Sequence, residues 1–493
     1  MVLESAAATP VQRMAGRLGA PSAELVLAAM TIAALFGALL VAPLPVWSAH
    51  PLRPQPAGSS PAEPVGWIGL IIPAAFLLAL WLPFRPYVHA QRLLARQSIG
   101  LPILLGTTVL LAITALLIYP GYGSDIFDYL GFERMWAVYG DNPLLALPIN
   151  RPGDWSTAYV WYPDRTPAYG PLWAVLTWPI AFLAGDSVAA VVAGYKVLSI
   201  IAYSACCWLI WASVEPARRQ RALVAFAWSP LVLFEVLGKV HNDILPALAM
   251  LGMIWLLSRG RTKMLGLAAV VVGGLVKITA LAAAPAAAVY LWRCGRWRPV
   301  IVAASVAAVF AAACYAPFWQ GLTTLAPIWN QTSRVVWSPA SVLVVASGWL
   351  PGGPYDRPVR VLLGLVWMGL SAAALSRGRG SRPSEVAATS GWLLLISLLV
   401  LTGAVYAHYL VAAVAIAAVS DDERLQRLVL WFSIGGLGAY AVELLGLPLG
   451  PDWLGTDGYR VVGSLVLLAP PALASFPRLR PLWPTCGTHA QLP

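Results

Sequence analysis

Leu25-Val-Leu-Ala-Ala-Met-Thr-Ile-Ala-Ala-Leu-Phe-Gly-Ala-Leu-Leu-Val-Ala-Pro-Leu-Pro-Val-Trp47 runs for 23 residues without a charge. About 20 apolar residues in a helix cross the hydrocarbon core of a bilayer. The run is too long for a signal-peptide core, so it reads as an uncleaved first helix. The same pattern recurs along the chain, near 66–84, 99–118, 187–212, 222–238, 244–258, 299–317, 359–375, 386–405, 406–419, 428–447 and 461–476, with a shorter run at 338–350. The expected fold is therefore all-α, a polytopic transmembrane helical bundle of about 12–14 membrane segments, one of them a re-entrant hairpin.

Composition points the same way. The chain has 493 residues, 59% hydrophobic and 11% charged, with a mean hydropathy of +0.74. A soluble globular protein is roughly 25% charged. So little charge excludes a soluble enzyme on one anchor, a disordered protein and a fibrous one. The 41 Pro and 42 Gly suggest short, interrupted helices around a cavity. Cys206, Cys207, Cys294, Cys314 and Cys486 include no C-x-x-C pair, and four lie in or beside apolar runs, so they read as small buried hydrophobes.

A net charge of +11 by itself would fit a nucleic-acid partner, but its distribution does not. Of the 32 Lys and Arg, 21 sit in small packets between apolar runs, such as Arg218-Arg219-Gln-Arg221 and Arg259-Gly-Arg261-Thr-Lys263. Basic packets beside spans mark the cytoplasmic side. They place both termini in the cytoplasm and the protein in the cell membrane. No period repeats and no separate soluble domain is visible, so residues 1–493 read as a single multi-span membrane domain.

Two stretches depart from the simple pattern. Residues 119–186 leave the membrane on the outer side and form an extracytoplasmic loop region. Residues 264–292 have basic packets at both ends, yet are too short to cross twice. A re-entrant hairpin fits, with Lys277 near its tip; irregular backbone at that depth is tolerated only inside protein or beside a watery cavity.

The outer region carries most of the candidate chemistry. Between Tyr119 and Trp173 there are 13 aromatic residues in 55, and six of the chain's 21 acids. Rings stack on sugar faces and carboxylates accept hydrogen bonds from hydroxyls. An interfacial aromatic belt explains the rings as well, but not the clustered acids. Ser124 reads as the N-cap of a helix over Asp125–Arg134, on which Asp125, Asp128 and Tyr129 share a face. Asp125 and Asp128 form a divalent-cation pair on paper, but two carboxylates are a weak metal signal, and no cofactor is indicated.

Glu235-Val-Leu-Gly-Lys239-Val-His241-Asn242-Asp243 reads either as a polar hairpin or as hydrogen-bonding side chains facing the same cavity as Asp125. Lys277 suits a phosphate at depth, or a structural pair with Glu235, Asp243 or Glu443. His408 is a weaker candidate, and Arg134 and Arg334 are further cations. The chain has no Walker loop, no G-x-G-x-x-G, no H-E-x-x-H and no G-x-S-x-G.

Together these residues resemble the GT-C superfamily of integral-membrane glycosyltransferases, and within it the bacterial polyprenyl-phosphate-mannose-dependent α-mannosyltransferases. The resemblance rests on Ser124-Asp125…Tyr129…Gly140-Asp141-Asn142-Pro143 with Tyr169-Gly170-Pro171-Leu172, on Ser229-Pro230…Glu235…Gly238…His241-Asn242-Asp243, and on Gly274-Leu-Val-Lys277…Pro285, which span the central third of the chain. It implies a polyprenyl-phosphate-sugar donor, a glycan or glycolipid acceptor on the extracytoplasmic side, and inversion with one acidic base. That base falls on Asp125, with the adjacent Asp128 as a competing choice. Asp128, Tyr129, Arg134, Glu235, His241, Asn242, Asp243, Lys277, Arg334 and His408 would bind substrate. Inverting transfer needs one carboxylate for the acceptor proton and positive charge near the departing phosphate. No protein or nucleic-acid partner is implied. A secondary transporter of a small polar or anionic solute is the alternative, because broken helices and an intramembrane Lys also suit that class.

Overall fold

A computed structural model describes residues 19–41, 68–120, 125–160, 162–260, 262–295, 297–325, 336–351, 355–378, 382–449 and 454–475, with Ile328. Arg334 and Ser124, both singled out from the sequence, lie outside them. Among the described residues there is no β-strand, only an isolated bridge between Val336 and Ala404.

The chain opens with α1 (Ala20–Val41), α2 (Ile68–Trp81), the amphipathic α3 (Phe84–Arg96) and α4 (Leu101–Leu117). Residues 119–186 supply α5 (Ile126–Ala137) and α6 (Pro171–Ala184). Then come α7 (Val188–Ser213) and α8 (Arg219–Ala227), followed by a π-helical turn at Leu233–Gly238. Next are α9 (Ile244–Leu257), α10 (Leu265–Gly274), a 3-10 turn at Ile278–Ala283 leading into α11 (Ala284–Gly295), and α12 (Trp297–Tyr315). The C-terminal part holds α13 (Pro339–Ser347), α14 (Asp356–Arg377), α15 (Pro383–Ile396), α16 (Val411–Val419), α17 (Glu423–Leu449) and α18 (Gly455–Ser475).

Eight of the described helices are long and apolar enough to cross a membrane, and five shorter apolar helices accompany them. A ninth candidate is the segment Pro216–Ala227 with Pro230–Gly238, bent by 45°. This is the all-α polytopic bundle that the apolar runs predict. The bend follows from local chemistry: Pro230 cannot continue the backbone bonds of α8, and Ser229 before it sits at ψ 121.

All nine residues of α16 are buried, which makes it the centre of the bundle. Its Ala- and Val-rich sequence lets α8, α9, α15 and α17 approach closely, as small side chains do between membrane helices. No residue of α14 and few of α12 are buried, so these two present apolar faces outward to lipid. In the bundle interior the buried Trp228 Nε1 donates to Thr108 Oγ1 at 2.9 Å.

Residues 264–292 are two helical pieces joined at Leu275–Lys277. The second piece, Ile278–Gly295, is itself long enough to span, longer than the half-depth return read from the sequence. The backbone freed at the break is satisfied by residues 119–186. Gly170 N–H donates to the Val276 carbonyl at 3.0 Å, and Leu172 N–H to the Leu275 carbonyl at 3.1 Å. Only glycine fits at 170, because a Cβ there would overlap the Leu275 carbonyl. The break and residues 119–186 thus build one wall.

Candidate active site

Four segments meet at that wall: the start of α5, the Glu235–Asp243 turn, the Lys277 break and the 3-10 turn Ala407–Leu410. Helix α5 starts one residue later than Ser124 predicts. Asp125 occupies the N-cap position but makes no side-chain cap bond. Its carboxylate is therefore available elsewhere. Oδ2 accepts the Tyr169 hydroxyl at 3.1 Å and the Tyr129 hydroxyl at 3.4 Å. Tyr129 OH also accepts the Asn242 backbone N–H at 3.2 Å, tying α5 to the polar turn. Tyr129 is fully buried between Tyr169 and Trp173, with ring centroids at 5.2 and 4.8 Å. Asp125 and Asp128 are both half-buried.

The polar turn is wound as a π-helix over Leu233–Gly238, a form that recurs at functional sites. It ends at Val240, whose φ of 65° is left-handed. A β-branched residue there costs roughly 1–3 kcal/mol, strain that packing must sustain. The reversal turns His241, Asn242 and Asp243 inward, all at most 2% exposed. Lys196 of α7 holds the turn from behind. Its ammonium donates to the carbonyls of Ile118 at 2.8 Å, Gly238 at 2.6 Å and Leu237.

Charges in the turn are paired in two directions. Lys277 Nζ lies 2.8 Å from Asp243 Oδ2, both buried, and 4.3 Å over the Tyr409 ring. Of the two readings of Lys277, a structural pair is thus present, and its partner is Asp243. Glu235, wholly buried, accepts the Tyr440 hydroxyl at 3.2 Å through Oε2, and that hydroxyl also receives Lys239 Nζ at 2.7 Å. Glu235 Oε2 is 2.8 Å from His241 Nδ1.

His241 stacks on His408 with centroids 4.0 Å apart and planes 15° apart, and Tyr406 continues the stack at 5.5 Å. One ligand-type atom from each of Asp125, His241 and His408 falls within 4.8 Å of the others. The sequence candidates Asp125, Tyr129, Glu235, His241, Asn242, Asp243, Lys277 and His408 therefore come together. Asp125, and not Asp128, belongs to the three-residue cluster. Several buried polar atoms here have no hydrogen-bond partner: Nε2 of His241, whose Nδ1 faces Glu235, both side-chain amide atoms of Asn242 and Glu235 Oε1. Such atoms cost free energy unless something else satisfies them.

Arg134 is paired away from this cluster. Its guanidinium is spent on Asp154 (2.8 Å), Asp186 (2.9 Å) and the Gly185 carbonyl (2.7 Å), with its face on Trp155, and none of these belongs to the Asp125 cluster. It braces α5 against Asp154 and the Gly185–Asp186 turn. Burial pushes the Asp154 carboxyl up, but donation from Arg134 and from the Ser156 hydroxyl and backbone N–H outweighs this and leaves its pKa at about 2. The Gly140-Asp141-Asn142-Pro143 motif is likewise architectural. Gly140 takes φ 71°, and Asn142 Nδ2 donates to the Phe318 carbonyl at 2.7 Å.

Sequence reasoning missed Tyr169, Tyr409, Tyr440 and Lys196 as parts of this constellation. Tyr169 was legible only as part of the Tyr169-Gly170-Pro171 turn. Tyr409 and Tyr440 lie in apolar runs, where nothing local distinguishes a site tyrosine from a packing one, whereas Lys196, an ionisable side chain inside the 187–212 run, carried the same signal as Lys277.

Comparison with known proteins narrows the class. Residues 22–293, more than half the chain, match the family model described as "Alpha-(1->6)-mannopyranosyltransferase, N-terminal domain". All of the clustered residues but His408 fall inside that match. A Mycolicibacterium smegmatis protein named "Probable alpha-(1->6)-mannopyranosyltransferase" is 26% identical over 182 residues, which cover 35% of this chain and 31% of that protein. The match thus reaches less than a third of that relative's length. The mannosyltransferase resemblance read from Asp125, the 229–243 motif and Lys277 is borne out: the chain belongs to the alpha-(1->6)-mannopyranosyltransferase family.

Proposed function

We propose that this protein is an integral-membrane mannosyltransferase. It transfers mannose from a polyprenyl-phosphate donor to a hydroxyl of a glycan or glycolipid acceptor, on the extracytoplasmic side of the cell membrane. Mannose and the α-(1→6) linkage come from the name of the family; inversion to an α product then requires a β-linked donor. The observation that carries the reading is the Asp125 carboxylate, oriented by two tyrosine hydroxyls beside buried and unpartnered His241 and Asn242 groups.

Asp125 is the general base that takes the acceptor proton as its oxygen attacks C1. Asn242 holds sugar hydroxyls with the side-chain amide atoms that lack partners. Asp243 keeps Lys277 in place, and Lys277, an ammonium with donors beyond the one given to Asp243, faces the departing phosphate. Phosphate leaves without a general acid, so one carboxylate suffices. The break at Leu275–Lys277 is read as a membrane-embedded turn beside the lipid donor, with both termini of the chain cytoplasmic. Family membership favours transfer over the transporter reading.

Membranes expressing the chain should transfer labelled mannose from polyprenyl-phosphate-mannose. Asp125→Asn should lower the rate by about 10²–10⁴, the usual share of a positioned base. Full turnover by a folded Asp125→Asn protein would rule out the base assignment. No transfer by the wild type to any of several acceptors would rule out the class.

A further inference from the structure

The Asp125, His241 and His408 cluster has ligand-type atoms that suit a divalent ion by residue type. Ring geometry argues against that occupant. A metal bonds an imidazole nitrogen in the plane of the ring, at about 2.0–2.1 Å. Rings stacked at 4.0 Å and 15° share no in-plane point at that distance from both nitrogens. A proton needs only one ring.

Charge balance asks for such a proton. The groups around the stacked pair are Asp125 from α5, Glu235 and Lys239 from the π-helical turn, Asp243 with Lys277 across the break, and Glu443 on α17, which with Asp243 interacts electrostatically with His241. Four carboxylates face two ammonium groups, almost all of it away from water. Buried unbalanced charge is costly. A positive charge arriving among these carboxylates is favoured, and a neutral imidazole has one ring nitrogen that can accept a proton.

We infer that His241 is a positioning residue that receives, through Asp125, the proton removed from the acceptor, with the Glu235 carboxylate behind it holding the imidazolium. This rests on the reading of Asp125 as the base. In the step, the acceptor oxygen bonds to C1 of mannose and its O–H bond breaks. The C1–O bond to phosphate breaks with its electron pair, leaving polyprenyl phosphate. The proton passes to Asp125 and on to His241, then to solvent between turnovers. The atoms that pass it lie within 4.8 Å, the reach of one bridging water, and Glu235 Oε2 stands 2.8 Å from His241 Nδ1. His408, itself stacked on Tyr406, lies flat against the His241 ring and restricts its rotation.

Two measurements on the full-length protein in nanodiscs test this. The first is the pH profile of mannose transfer by wild type, His241→Gln and Glu235→Gln. The expected result is a kcat at least tenfold lower in both variants, with donor KM within threefold and the low-pH limb of the wild type displaced. The double variant should be no slower than His241→Gln alone. Equal pH profiles, or a loss confined to KM, would overturn the inference. The second needs no activity. The chain has five histidines, so ¹⁵N-histidine labelling resolves His241, assigned from His241→Gln. Its ring titration should move in both Asp125→Asn and Glu235→Gln. An unmoved titration would refute the relay even where the transfer assay succeeds, whereas absent wild-type transfer with a moved titration would fault the proposed reaction alone. Stoichiometric Mn²⁺ binding, seen by EPR and lost in His408→Gln, would overturn the proton reading in favour of a metal.

Discussion

Removing one member of the Lys277–Asp243 pair should be far more damaging than removing both. Nζ and Oδ2 are 2.8 Å apart, and the side chains are 2% and 3% exposed. At an effective dielectric of about 20 their attraction is about 6 kcal/mol. Desolvation of the two ions offsets most of that, so the pair adds little net stability over two neutral groups. Lys277→Met alone leaves a buried carboxylate without its cation, and Asp243→Asn leaves a buried ammonium without its anion. Each should cost about 3–5 kcal/mol. The double variant Lys277→Met/Asp243→Asn should return to within about 1–2 kcal/mol of the wild type, the residue being the lost contact of Lys277 with the Tyr409 ring. Denaturant unfolding in mixed micelles, followed by tryptophan fluorescence, measures all four proteins. A double variant as unstable as the worse single, or a Lys277→Met protein within 1 kcal/mol of wild type, would refute the pairing argument. The same proteins separate structure from chemistry. A stable double variant without mannose transfer assigns Lys277 to the phosphate; a stable, active one leaves it a purely structural ion.

Lys196→Met removes one ammonium from the Ile118, Leu237 and Gly238 carbonyls and should lower unfolding stability by on the order of 3 kcal/mol, measured in the same micelles. It should also loosen the His241 turn, read as faster hydrogen exchange at residues 238–243; unchanged exchange there would show that the turn holds itself. Burial pushes the Glu133 carboxyl of α5 up to about 8, against a hydrogen bond from Thr177, and its Oε2 has no partner. A raised folded pKa means that this group's contribution is fully present below about 4.5 and is lost as pH rises toward 8. Glu133→Gln should therefore be the more stable protein at pH 8, with the difference vanishing below pH 4.5; parallel stability curves would count against it.

The membrane class, the all-α fold and the family were legible from local sequence. Each apolar run must satisfy its backbone within itself, and a helix does so without help from distant residues. The core of the site was legible as well. Asp125, Glu235, His241, Asn242, Asp243 and Lys277 are polar groups in or beside apolar runs, and the desolvation cost of such groups marks them wherever the chain folds. Partnership was not legible. Arg134 looked like a phosphate cation, but Asp154 and Asp186, 20 and 52 residues away, claim it. That Asp125 rather than Asp128 joins the two histidines depends on where Tyr169 and those histidines arrive, and Lys277 offered three acidic partners of which packing selects Asp243. The sequence by itself thus determined which residues are too polar for their surroundings. Only the tertiary structure decided which of them meet, because a hydrogen bond or ion pair acts over about 3 Å and depends on helix packing that no local pattern encodes.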